Sequence, residues 1–205
     1  MALHALAEAS GYLGATLGVG MVIPQIMRTL RDRTMPGVSA LSWALTALSC
    51  TSWLLYGLRT GELPQIPGNV LLVTGAVVIV LVVPSAVSAG VRAVRVLAAA
   101  LAIAALVPIV APAVIGVVAL SIGLVSALPQ AVRSLRHRAA GESAVSLLTW
   151  WLRVGSQASW LGYAIALHDT TVMLSAVVLL STALVVLGSE LVRRPAPVCP
   201  APATA

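Results

Sequence analysis

Seven stretches of this chain are apolar over about the length needed to cross a bilayer, and that decides its class. They fall at roughly 11–28, 39–58, 66–85, 95–110, 113–132, 146–166 and 171–191. Pro108 and Pro112 crowd the end of the fourth. Sixty per cent of the 205 residues are hydrophobic and 9% are charged, whereas roughly a quarter are charged in an ordinary globular domain. A water-soluble chain of this size has too little interior to hide so much apolar surface. The fold class expected is therefore all-α, a polytopic membrane protein of seven transmembrane helices. Seven spans of about 20 residues take about 140 residues, which leaves no room for a separate soluble catalytic domain.

The basic residues test that count. All twelve are arginine; lysine is absent, which excludes a Schiff-base chromophore. With seven crossings, Arg28, Arg31, Arg33, Arg92, Arg95, Arg133, Arg136, Arg138, Arg193 and Arg194 share one side. Arg59 falls on the other, and Arg153 lies within the sixth span. The arginine-rich side is cytoplasmic by the positive-inside rule, so the N-terminus is expected outside and the C-terminus inside. Membrane lipids are the expected partners of the arginine clusters, rather than nucleic acid. Cys50 and Cys199 form no CxxC pair and the three histidines are scattered, so neither a metal site nor a cofactor is expected. Met1 to Ser10 carry no basic residue, which argues against a cleaved leader. The tail from Arg194 is proline-rich and expected to be extended and solvated, with Cys199 either inert or lipid-bearing.

The chain also repeats itself. Pro24 to Arg33 reads PQIMRTLRDR and Pro129 to Arg138 reads PQAVRSLRHR, six of ten positions being identical at a separation of 105. The match resumes at a separation of 107: Val38, Ser39, Trp43, Trp53, Leu54 and Tyr56 correspond to Val145, Ser146, Trp150, Trp160, Leu161 and Tyr163. The fourth span has no counterpart. Two three-helix units in one orientation need an odd number of crossings between them, and the fourth span supplies one. The expected plan is two parallel three-helix repeats, 1–91 and 112–192, joined by a linker helix at 92–111 and followed by the tail 193–205.

These residues carry a family resemblance. The Pro-Gln pair ending a first helix, the basic loop, Trp53 with Tyr56-Gly57, and Pro67-x-Asn69 opening the third helix resemble the PQ-loop superfamily. In particular they are similar to the SWEET sugar transporters and their half-size bacterial relatives, the SemiSWEETs. The resemblance covers both repeats. It implies a facilitative transporter of a small neutral solute, a mono- or disaccharide. It also implies that Trp53 on the second helix and Asn69 on the third contact the sugar, and that the Pro-Gln pairs act as hinges. The second repeat departs from the pattern, since Ala176, beside Ser175, stands where Asn69 would be.

Taken by their chemistry, the same residues leave some readings open. Pro24 and Pro129 each free the carbonyl four residues back, on Gly20 and Val125, and Gln25 and Gln130 offer amides at the right depth. A hinge and a static kink both fit. Trp53 with Tyr56, and Trp160 with Tyr163, share helix faces three residues apart. The tryptophans, one turn deeper, suit the lining of a cavity; the tyrosines fit a gate or an interfacial belt. Glu62 and Asp169 each follow their tryptophan by nine residues at the outer mouth and, with Arg59, suit a gate salt bridge or solvated loop charges. Arg153 either contacts an anionic group of a solute or snorkels to the interface. No acid falls in the middle of a span, which argues for passive, uncoupled transport and leaves no catalytic residue set for an enzyme.

The expected site is thus Trp53, Asn69, Trp160 and Ser175. Two alternatives stand beside a sugar carrier: an amino-acid or organic-acid carrier, and a non-transporting receptor or scaffold. Two repeats in one chain complete a pathway, so a homo-oligomer is optional. The alanine-, valine-, glycine- and arginine-rich composition points to a GC-rich bacterial genome and hence to the cytoplasmic membrane.

Overall fold

The computed structural model describes residues 2–31, 39–136 and 147–193, with the side chains at 25, 28, 127–136 and 193 outside that description. The Gln25, Pro129 and Gln130 side chains therefore lie outside it. So do the loop arginines Arg33 and Arg138, and the tail with Cys199. Seven helices follow one another: α1 (Ala2–Arg31), α2 (Ala40–Thr60), α3 (Gln65–Val82), α4 (Ala89–Leu106), α5 (Pro112–Arg136), α6 (Leu147–Leu167) and α7 (Thr170–Arg193). There is no strand among the described residues. The chain is an all-α polytopic membrane protein. By length and composition α1, α2, α3, α4 and α7 can each cross a membrane. The described apolar stretch of α5, Pro112–Ser126, is shorter, and α6 is long enough but carries Arg153 and Gln157.

Local chemistry sets the helix ends. Ser39 caps α2, its hydroxyl accepting from the Ser42 N–H at 3.3 Å. Gly61 closes α2 at φ 78°, a left-handed position that suits glycine. Ser88 caps α4 through the Val91 N–H, which starts that helix six residues before the apolar run at 95. It then stops ahead of Pro108, and Pro112 opens α5 at the position where a missing N–H costs nothing. Asp169 caps α7, accepting from the N–H groups of Thr171 and Val172 at 2.9 and 3.0 Å. The first helix is longer than its apolar run at both ends, because the flanking alanines and leucines are good helix formers.

Among the described residues α1 and α2 do not touch; α3 packs against both, and α7 likewise packs against both α5 and α6. The two bundles meet along two seams, α1 with α6 and α2 with α5. The linker α4 leans on α2 and α3, with no buried residue of its own. Its Val94, Leu97 and Leu101, with Leu71 and Val185 elsewhere, are more than half exposed. In water such a surface would be an aggregation liability; in a bilayer it is the lipid-facing side.

Small residues and hydroxyls build the seams. Ser49 on α2 donates to the Ala119 carbonyl on α5 at 2.8 Å, and Ser156 on α6 donates to the Gly14 carbonyl on α1 at 2.8 Å. Positions 49 and 156 stand 107 apart, and positions 14 and 119 stand 105 apart, the two separations of the sequence repeat. Gly123 and Gly18, again 105 apart, face the same two hydroxyls: a Cβ would sit 3.0 Å from Ser49 Oγ and 3.5 Å from Ser156 Oγ. The repeat is therefore a near-twofold symmetry that reaches individual atoms. Backbones approach closely wherever side chains are small, which is how helices associate when lipid supplies no hydrophobic drive.

Candidate functional site: an outer gate above paired tryptophans

The aromatic pairs occupy the end of the seams nearest the α2–α3 and α6–α7 turns. Trp53 and Tyr56 meet edge to face at 5.6 Å and 78°, and Trp160 and Tyr163 at 5.5 Å and 86°. The i, i+3 spacing imposes this pairing, and the repeat copies it. Both tyrosines are buried, 4% and 1% exposed, in one cluster with Ala7, Ile115, Ala164 and Val172. Their rings thus lie inside the bundle rather than at its lipid-facing rim. Each tryptophan reaches the other repeat. Trp53 lies against Gly116 of α5. Trp160 lies against Gly14 of α1, its Cδ1 and Nε1 both 3.0 Å from where a Cβ would stand.

Above the tyrosines a hydrogen bond joins the two repeats. Tyr56 donates to Asp169 Oδ2 at 2.7 Å, and Tyr163 lies near the Glu62 carboxyl. Positions 62 and 169 are 107 apart, so each tyrosine lies by the acid that is the counterpart of its own. Burial first, then Asp169, push Glu62 from its ordinary 4.5 up to about 8. The salt bridge to Arg59 raised from the sequence is not formed among the described residues. Arg59 is exposed in the last turn of α2, whereas the chain turns at Gly61 and carries Glu62 inward. The one close ion pair among the described residues is His4 with Glu8 at 3.6 Å.

Asn69 is 8% exposed and lies beneath this gate. Its amide donates to the Gln65 carbonyl at 2.7 Å and approaches Gln65 Oε1 at 3.5 Å. The Gln65 amide in turn reaches Glu62 Oε2 at 3.4 Å. A polar line therefore runs from Asn69 through Gln65 to the gate acid. Gln65 was missed in the sequence; its i, i+4 spacing from Asn69 was the available signal. Ser175 is buried and, with Val117, Leu120, Thr170, Thr171 and Leu174, lines a groove of about 190 Å³ between α5 and α7.

Deeper in α6, the Arg153 guanidinium lies 5.3 Å over the Trp150 ring. Arg153 itself is half-buried. In the first repeat the same place holds Thr46, bonded to Ser126 at 2.9 Å. Of the hinge residues, Pro24 sits exposed inside α1, which stays helical as far as Arg31.

Architecture and seams together define a membrane-helix bundle in which two groups of three helices meet along two seams. The comparisons narrow this. Residues 6–66 match the family described as PQ loop repeat. The solved structure of a eukaryotic SWEET transporter superposes with a TM-score of 0.79 over 94% of this chain and 99% of that one, at 14% identity. No curated protein sequence matches the chain. The chain thus has the fold of that SWEET transporter, and its first 66 residues contain a match to the PQ loop repeat.

Proposed function

We propose that this protein is a facilitative, alternating-access transporter of a small polar solute, a mono- or disaccharide in the first instance. Fold likeness supports the transport class. The observation that carries the reading is the bond from Tyr56 to Asp169 at 2.7 Å, with Tyr163 placed near Glu62 in the matching position, which ties the two repeats together at one end of the bundle. Such a closure has a purpose only if it opens. Trp53, Asn69, Trp160 and Ser175 would line the path beneath it, the indoles taking the C–H face of a sugar ring and the amide its hydroxyls. Pro24-Gln25 and Pro129-Gln130 would flex at the other end. The arginine distribution supports a multi-pass protein of the bacterial cytoplasmic membrane, N-terminus outside and C-terminus inside.

Arg153 favours a second reading. A half-buried guanidinium within a membrane helix, packed over an indole ring, suits a solute bearing an acid group. Counterflow of labelled glucose and sucrose in proteoliposomes, beside a labelled organic acid and an amino acid, separates the two. Sugar exchange without an imposed pH gradient, at least tenfold slower in Trp53→Ala and Asn69→Ala, is the expected result. Exchange of the acids alone, lost in Arg153→Ala, would establish the second reading. Binding of any of these solutes without flux would make the protein a receptor.

A further inference from the structure

The second repeat leaves an opening that the first closes. On α1 and α3 the pair Ala15 and Gly68 lets the helices touch: a Cβ on Gly68 would sit 2.9 Å from Ala15 Cβ and 3.5 Å from its Cα. Their counterparts, at the repeat separations of 105 and 107, are Leu120 on α5 and Ser175 on α7. Side chains of that size cannot share so small a spacing. Between these two helices lies the groove of about 190 Å³. An apolar cavity of about 150 Å³ takes a benzene-sized molecule, so this one has room for a ring or a short branched chain.

The walls define what fits. Val117 and Leu174 are 51% and 54% exposed, and Leu120 is buried beside them. In a bilayer the exposed pair faces lipid. Thr170 opens α7, and Ser175 lies further along it by about 7.5 Å at helical rise. The groove therefore starts at the membrane end of α7, the depth at which an amphipath keeps its polar tip near water and its apolar body in lipid. Ser175 supplies the polar contact. It is 4% exposed. Further along α7, Ser181 and Thr182 donate to the carbonyls four residues back, at 2.8 and 2.9 Å. Among the described residues the Ser175 hydroxyl has no such partner, and it lines the groove instead. A buried hydroxyl left unpaired is costly. A water would satisfy it and leave the apolar walls unfilled.

We infer that the α5–α7 groove is a binding site for a small amphipathic alcohol that enters from the bilayer, its apolar body between Val117, Leu120 and Leu174 and its hydroxyl bonded to Ser175. The site does not depend on the transport reading. It is nevertheless a neighbour of the gate and the tryptophans. Thr171 and the Trp53 ring both close on Gly116, the ring 3.6 Å from where a Cβ would stand. Thr171 also gives its N–H to Asp169 at 2.9 Å. An occupant would thus rest against the turn that carries the gate acid.

Fluorine NMR of para-fluorobenzyl alcohol tests this, with the protein in phosphatidylcholine nanodiscs and empty discs as the blank for partitioning. Saturable broadening beyond the blank, displaced by unlabelled benzyl alcohol, is expected. Ser175→Ala keeps the groove and should weaken binding of the alcohol about two- to tenfold, the worth of one hydrogen bond. Para-fluorotoluene, which has no hydroxyl, should bind wild type and this variant alike. Leu174→Trp fills the groove from its exposed rim and should abolish binding of both probes. Val117→Trp does the same from α5 if the melting temperature shows that the first variant does not fold. Broadening no greater than in empty discs, an alcohol affinity unchanged in Ser175→Ala, or binding that survives in a folded tryptophan variant would each overturn the proposal.

Discussion

Removing one oxygen atom from Tyr56 isolates what the gate contributes. Tyr56→Phe keeps the ring, its burial and its edge-to-face contact with Trp53 at 5.6 Å, so folding should hardly change. It deletes the 2.7 Å bond to Asp169, which spans from one repeat to the other. A hydrogen bond to a charged group is worth about 1.5–3 kcal/mol net. Because this one exists only when the mouth is closed, its loss should raise the open-to-closed ratio by about 10- to 150-fold. Spin labels at Leu63→Cys and Thr170→Cys, both exposed, with Cys50 and Cys199 replaced by alanine, measure that ratio directly. By the symmetry of the repeats, Tyr163→Phe should act in the same direction through Glu62. The double variant should exceed either single one. An open fraction in Tyr56→Phe within about twofold of the wild type would show that the bond is not part of the closure.

Two further substitutions test the packing. Ser49→Ala and Ser156→Ala each remove one seam hydroxyl, and their matched 2.8 Å bonds predict matched losses of about 0.6 kcal/mol, seen as equal shifts in melting temperature in detergent. Unequal losses would show that the near-twofold symmetry does not extend to energy. In Gly57→Ala the new Cβ would fall 2.6 Å from Gln65 Cβ and 3.2 Å from the Glu62 carbonyl, neither of which is the free end of a side chain. The α2–α3 corner must spread, at a cost of about 1–3 kcal/mol. Lower thermal stability in detergent is expected, and a wild-type melting temperature would refute it.

Much of this was readable from residues alone because the repeat preserves spacing. The separations of 105 and 107 fix which residues are counterparts, and the structure brings Trp53 and Trp160, Tyr56 and Tyr163, and Glu62 and Asp169 into matched places. Sequence could not show that each tyrosine lies by the opposite acid, since that depends on how the bundles face each other. The seams were also hidden. In water, a buried helix face stands out by its apolar period; in lipid the outside is as apolar as the inside, so Ser49 and Ser156 looked like ordinary hydroxyls in an apolar run. Glu190 is a similar case. It looked like an end-of-helix charge, yet it is 1% exposed in α7. The fourth run was misplaced because its start depends on the Ser88 cap, and capping leaves no mark in hydropathy.

The places where symmetry fails are as informative as those where it holds. Gate and seams consist of paired contacts between repeats, and each contact needs its counterpart for the bundles to meet evenly at both seams. Those pairs match: Tyr56 with Tyr163, Glu62 with Asp169, Ser49 with Ser156. Two polar positions do not. Asn69 faces Ala176 in the repeat, and Thr46 faces Arg153. Asn69 lies just below the gate, joined to it through Gln65, and Arg153 lies deeper, over Trp150. A sugar or an organic acid has no twofold axis of its own. A lining that carries an amide on one wall and a cation lower on the other can tell its two ends apart, which a symmetric chamber cannot. Under the proposed function, the matched contacts suit the motion and the unmatched ones suit the choice of solute.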